Sequence, residues 1–110
     1  MKRGLYIVKY YLKNTRTGEL SVMLKYGRTS NIETRMNYYR KKRSTSLLAF
    51  FPCSNEKERE SYFKEWSSCS FIYDLRYHLS ESVEFNTNVF KNMYSDLFEI
   101  SKYTKKELGL

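Results

Sequence analysis

An α+β domain, with a small three-stranded antiparallel sheet flanked by helices, is predicted by three features of this sequence. Two segments rich in Tyr, Ile, Val and Leu, Gly4–Lys13 and Leu20–Tyr26, stand on either side of a run of turn formers. A segment with a helix-start signal and helical spacing follows the second directly. A short apolar run stopped by proline, Leu47–Phe51, then offers a third strand. At 110 residues and 13.3 kDa the chain has material for one hydrophobic core, so a two-domain enzyme is not expected.

The first strand is read from Gly4–Lys13, GLYIVKYYLK, because aromatic and β-branched side chains suit a pleated, half-buried surface. Asn14–Glu19, NTRTGE, gathers turn formers around Gly18, and Leu20–Tyr26 resumes the apolar pattern, which together predict an antiparallel hairpin with a basic tip. Alternation puts Tyr6, Val8 and Tyr10 on one face of the first strand, and leaves open which face is buried.

Ser30 followed three residues later by Glu33 reads as the reciprocal capping box of a helix start. Ile32, Met36 and Tyr39 recur at helical spacing and form the apolar stripe of that helix, with Arg35 beside it. The cationic block Arg40, Lys41, Lys42 and Arg43 ends it. Leu47–Phe51 is expected to be a buried strand, too brief for a helix. Asn55 is the expected cap of a second helix through Trp66, with Glu58 at the capping-box position and Tyr62, Phe63 and Trp66 as its apolar edge. Helical spacing favours a helix over Phe71–Leu79, Val83–Phe85 reads as a short extended piece, and Thr87 or Asn88 is expected to cap a last helix carrying Val89, Phe90, Met93, Leu97, Phe98 and Ile100. The polar tail from Ser101 is expected to fray.

Function classes are narrowed by what is missing. The longest apolar run falls far short of the roughly 20 residues of a membrane span. Lys9 and Lys13 interrupt what would otherwise follow Lys2 and Arg3 as a secretory signal, so an intracellular setting is expected. Cys53, Cys69 and His78 cannot supply the four ligands of a structural zinc site without carboxylate help, and both cysteines are expected as free thiols.

Charge is more informative. The chain carries 20 basic and 12 acidic side chains, a net charge of +8, unevenly spread. Residues 1–45 hold 12 Lys or Arg against only Glu19 and Glu33, net +10; residues 46–110 hold 8 basic against 10 acidic, net −2. A field of that kind recruits polyanions by releasing their counterions, and nucleic acid is the polyanion expected.

A tripeptide Gly4-Leu5-Tyr6 on a strand, a hairpin partner ending in Lys25-Tyr26-Gly27-Arg28-Thr29, an arginine eight residues after Gly27 on the next helix, and a later helix rich in glutamate form one constellation. It resembles the GIY-YIG nuclease superfamily, most closely its virus- and phage-associated branches. The resemblance covers residues 4 to about 66 well and the remainder loosely. Gly4, Leu5 and Tyr6 match the first motif, Lys25, Tyr26 and Gly27 the second. Lys25 stands where the second motif usually has tyrosine, and Tyr39 where many members have histidine. The resemblance implies a DNA endonuclease, found in the host cytoplasm or nucleus if the chain is viral.

For catalysis the resemblance implies Tyr6 as the general base or its orienting group and Arg35 as the clamp on the phosphate oxygens. It implies Glu60, with Glu58 as its competitor, as the single ligand of Mg²⁺ or Mn²⁺. Lys25, on the adjacent hairpin strand, is expected either to supply the positive charge that makes the Tyr6 phenol useful near neutral pH, since a tyrosine otherwise loses its proton only near pH 10, or to donate to the phosphate. A guanidinium fork suits phosphate better than the point charge of lysine. Arg28, Tyr39, Arg40, Lys41, Lys42 and Arg43 are the expected nucleic-acid contacts, which position a backbone without specifying sequence. Double-stranded or branched DNA is the expected partner, with a homodimer as one source of sequence choice. A non-cleaving nucleic-acid-binding protein of the same fold, and a small viral interaction protein, are the alternatives.

Overall fold

The computed structural model describes residues 1–42, 44–66, 82–103 and 106–109. Its strands are β1 (Gly4–Lys13), β2 (Leu20–Thr29), β3 (Thr45–Pro52) and β4 (Ser82–Glu84), and its helices are α1 (Ile32–Lys42), α2 (Glu56–Trp66) and α3 (Thr87–Lys102). The strands form one antiparallel sheet in the order β3-β1-β2-β4. The fold is therefore α+β, with three long strands as predicted and a three-residue fourth strand beside β2 at Met23–Lys25.

β1 is the middle of the three long strands, and both of its faces are buried. Leu5 and Ile7 join Leu24, Tyr26 and Phe51 under α2 and α3, where Phe63, Met93, Leu97 and Ile100 complete the larger core. Tyr6 and Val8 face the other way and meet Met36 of α1, with Ile32, Tyr39 and Phe50 around them. A strand covered on both sides needs apolar residues at consecutive positions, which Gly4–Val8 supplies. Burial of one such aliphatic side chain is worth about 1.5–3 kcal/mol. Tyr26 and Phe63 pack with ring centroids 4.3 Å apart, tying β2 to α2.

The hairpin between β1 and β2 closes as expected: the Asn14 side chain accepts from the Arg16 N–H at 2.9 Å, and the Asn14 N–H donates to the Glu19 carbonyl at 2.8 Å. Gly4 is a position of close approach, where a β carbon would collide with the Phe51 carbonyl of β3.

Several local expectations are corrected. Asn31, not Ser30, caps α1, its side chain accepting from the Glu33 and Thr34 N–H groups at 3.0 and 3.2 Å. The reason lies one residue upstream. The Thr29 hydroxyl donates to the Asn31 carbonyl and accepts from the Asn31 N–H, fixing Asn31 just outside the helix. Glu33 instead pairs with Lys2 at 3.0 Å on the surface. Asn86, rather than Thr87 or Asn88, caps α3 by accepting from Asn88 and Val89.

Asn55 does open α2, in the left-handed region at φ 59, but Glu58 does not complete a capping box; its carboxylate accepts the Tyr62 hydroxyl at 2.6 Å. β3 is an edge strand rather than a buried one: Leu47 is 40% exposed, Leu48, Ala49 and Phe50 are half-buried, and of the apolar run only Phe51 is enclosed. Its register against β1 jumps at Leu48, a bulge of the kind that edges carry. α3 runs on through Lys102, so Ser101 is helical and not frayed. Cys53 is a free, buried thiol whose pKa burial pushes up. The expected helix over Phe71–Leu79, with Cys69 and His78, lies outside the described residues.

Candidate functional site

The site begins at the pairing of Tyr6 with Gly27 across β1 and β2. The Tyr6 ring lies over Gly27 so closely that a β carbon there would stand 2.5 Å from the phenolic oxygen. Glycine is thus required for the ring to lie flat along the sheet. Its hydroxyl then reaches α1, where it shares a 2.6 Å hydrogen bond with the Tyr39 hydroxyl. Tyr39 comes to that point because it is the last residue of the Ile32–Met36–Tyr39 stripe, which packs α1 on this face.

Side chains from four elements converge beside this pair. Tyr6 from β1, Lys25 and Arg28 from β2, Arg35 and Tyr39 from α1, and Glu56 and Glu60 from α2 line one cavity of about 380 Å³, with Thr29 and Ser30 at the strand end. All four residues expected to be catalytic, Tyr6, Lys25, Arg35 and Glu60, are therefore brought together, as are Arg28 and Tyr39. The cavity opens where β2 runs past its last pairing with β4, at Lys25. There Lys25 and Gly27 look to the α1 face while Tyr26 and Arg28 look to the α2 face, so one strand end supplies groups from both.

Of the two glutamates, Glu60 lines this cavity and Glu58 does not. Glu60 is nearly enclosed, and its Oε1 accepts a 2.8 Å hydrogen bond from Arg28 Nη1. Glu58 is exposed and engaged with Tyr62. Glu56, one helical turn before Glu60, is a cavity residue that sequence reasoning passed over, although the i, i+4 spacing of the two carboxylates was there to be read. It pairs with Arg3 at 3.5 Å.

The Lys25 ammonium lies 5.8 Å from the centroid of the Tyr39 ring, within cation–π range. Arg35 is the cation that draws the Tyr6 pKa down, and it is outweighed. Burial, first, and the hydrogen bond with Tyr39, second, hold the phenol far above its ordinary value. Of the basic block, Arg40 and Lys41 are exposed on α1 and do not line the cavity, and Arg43 lies outside the described residues, as does the Lys42 side chain.

Glu56 and Glu60 offer carboxylate oxygens, the donor type of a hard divalent cation that keeps most of its water and takes phosphate oxygens as further ligands. The residues present therefore fit Mg²⁺ or Mn²⁺. Among the described residues no cluster of three or more His, Cys, Asp or Glu comes together, and no helix is long and apolar enough to cross a membrane. No protein-family model matches the chain, and neither a curated protein nor a solved structure is significantly similar to it.

Proposed function

We infer that the chain is a metal-dependent DNA endonuclease of the GIY-YIG type, acting inside a cell on phosphodiester bonds with Mg²⁺ or Mn²⁺ at Glu60. The observation that carries this reading is the convergence of a strand phenol, two cationic side chains and a nearly enclosed carboxylate on one polar cavity of about 380 Å³. Each group meets a separate demand of the reaction. The guanidinium of Arg35 and the ammonium of Lys25 hold the non-bridging oxygens and neutralise the charge that grows on the phosphorane. The Tyr6 side chain, fixed by Tyr39, orients the attacking water and, once it has itself lost its proton, accepts the water's proton as the phenolate. The chemistry supplied by a divalent cation bound at Glu60 is Lewis-acid stabilisation of the leaving oxygen. Arg40, Lys41, Lys42 and Arg43 hold the flanking backbone.

The test is incubation with supercoiled and branched DNA and Mg²⁺ or Mn²⁺, comparing the wild type with Arg35→Ala. Nicking by the wild type that falls about 100-fold or more in the variant is expected; nicking that Arg35→Ala leaves unchanged removes the mechanism. A second reading, a DNA-binding protein of the same fold that does not cleave, is favoured by the pairing of Glu60 with Arg28. It predicts binding with steep salt dependence and no nicking with either metal.

A further inference from the structure

The ion pair between Arg28 and Glu60 is lopsided. The Arg28 side chain is 41% exposed, whereas that of Glu60 is 7% exposed, and a single 2.8 Å hydrogen bond joins them. The carboxylate is the fixed partner, held on α2 within the fold. The guanidinium is the mobile one, with much of its surface already in water, so it can swing aside without uncovering apolar side chains.

Arg28 and Glu60 also border two cavities at once. One is the 380 Å³ cavity of Tyr6 and Arg35; the other, of about 550 Å³, is bordered by Asn55, Lys57, Glu58 and Ser61. The pair therefore stands where the two cavities meet.

We propose that Arg28 is an exchangeable counter-ion that occupies Glu60 until a phosphodiester takes it away, so that nucleic acid and divalent cation bind with positive coupling. This rests on the reading of Glu60 as the cation ligand. Arg28 takes only Oε1 of Glu60, but a guanidinium and a divalent cation on one carboxylate bring two positive charges together, so each weakens the other's hold. A phosphate offers the guanidinium fork a better match, with two parallel hydrogen bonds. Once Arg28 turns to phosphate, Glu60 is a buried carboxylate without a partner, a costly state that a divalent cation relieves. By linkage the cation tightens nucleic-acid binding by the same factor. The free protein thus holds its cation weakly and completes its site only on substrate.

The experiment measures Mn²⁺ affinity without nucleic acid from the free-ion electron paramagnetic resonance signal, for the wild type, Arg28→Ala, Arg28→Lys and Glu60→Gln. In parallel, the affinity for a labelled DNA duplex is measured by fluorescence anisotropy in EDTA and in Ca²⁺. Arg28→Ala is expected to bind Mn²⁺ at least about fivefold more tightly than the wild type, and Ca²⁺ to tighten duplex binding of the wild type by at least about fivefold and by more than it tightens that of Arg28→Ala. Arg28→Lys, which keeps a positive charge beside Glu60, is expected to stay as weak as the wild type. Should Arg28→Ala prove unfolded by circular dichroism, Arg28→Gln, which keeps a donor without the charge, repeats the comparison. Mn²⁺ binding that Glu60→Gln removes but the neutral Arg28 variants do not tighten overturns the exchange and leaves Glu60 as a cation ligand. Mn²⁺ binding that is the same in Glu60→Gln as in every other protein, with no effect of Ca²⁺ on the duplex, overturns the cation reading itself.

Discussion

Tyr6 rests on Gly27 with no room for a methyl group between them: a β carbon at residue 27 would stand 2.5 Å from the phenolic oxygen and 2.7 Å from the ring carbon that bears it. The need for glycine at residue 27 is thereby explained by the Tyr6 ring. Gly27→Ala is expected to push the ring off the sheet, break its hydrogen bond with Tyr39 and cost about 1–3 kcal/mol, the usual penalty of overpacking. Urea denaturation of Gly27→Ala, Tyr6→Ala and the double variant gives the check. If the two effects simply add, the rings and the glycine are not in conflict and the argument fails.

What could be read from the sequence, and what could not, divides along a physical line. Tyr6 is placed on one face by strand alternation and Tyr39 by a helical stripe, because both periodicities are local, whereas Lys25, Gly27 and Arg35 are singled out by the resemblance alone. The helix starts were each located to within a residue and missed in detail at Ser30 and Thr87, since neighbouring Asn31 and Asn86 compete for the same backbone donors and only the fixed chain decides. Sheet order is a non-local property. Nothing in Leu47–Phe51 distinguishes a buried strand from an edge strand that happens to pack one aromatic ring, and nothing in Val83–Phe85 names Met23–Lys25 as its partner. The choice of Glu60 over Glu58 likewise required the position of Arg28, on a different element 32 residues away.

Arg59 is a second long-range contact with no local signature, and it makes a clean control. Its Nη1 donates to the carbonyl of Ile100 and, at 2.9 Å, to that of Tyr103, while its Nε donates to the Ser54 carbonyl at 3.1 Å. A cation at the end of α3 thereby satisfies carbonyls that the helix leaves open. Arg59→Ala is expected to cost about 1–3 kcal/mol, the worth of hydrogen bonds to a charged group, lowering the urea midpoint at an unchanged slope. Duplex affinity at a temperature where the variant is folded should not change, because Arg59 lines neither cavity.

The exposed block on α1 makes a different prediction from the cavity. Arg40 and Lys41 are exposed and do not line the cavity, so on the proposed function they are expected to meet backbone phosphates. Each alanine substitution is expected to weaken binding equally for unrelated duplexes and to lower the slope of log affinity against log salt by about 1. Anisotropy titrations between low and moderate salt measure it. A substitution that weakens one sequence and spares another would assign that residue to base reading instead.

Stability should depend on pH through Tyr6. An unfolded chain ionises its tyrosines near pH 10, whereas burial and the Tyr39 hydrogen bond keep the folded phenol protonated well above that. Above pH 10 the folded state therefore binds more protons than the unfolded one, and stability falls as pH rises; below pH 10 the contribution is fully present. For one such group the loss is about 1.4 kcal/mol per pH unit. Tyr6→Phe is expected to lose stability at pH 9 but to decline less steeply between pH 10 and 11. Parallel declines of the two proteins would mean that Tyr6 is not held protonated.

The same raised proton affinity shapes the expected reaction. A phenol that keeps its proton is a poor base in the free protein, and Arg35 alone does not offset burial and Tyr39. Proton acceptance by Tyr6 therefore depends on the positive charge of the divalent cation, which has to outweigh the negative charge of the phosphodiester, and the fraction of useful phenolate still grows with pH. Single-turnover nicking rates are expected to climb through pH 7–9, approaching about tenfold per unit where the chemical step limits. Tyr39→Phe removes the hydrogen bond that raises the Tyr6 pKa. If Tyr6 is the base, that variant should reach a given rate at lower pH, while Tyr6→Phe should be inactive throughout. A flat profile in the wild type, or an unshifted one in Tyr39→Phe, would confine Tyr6 to orienting the water and assign proton removal to another group.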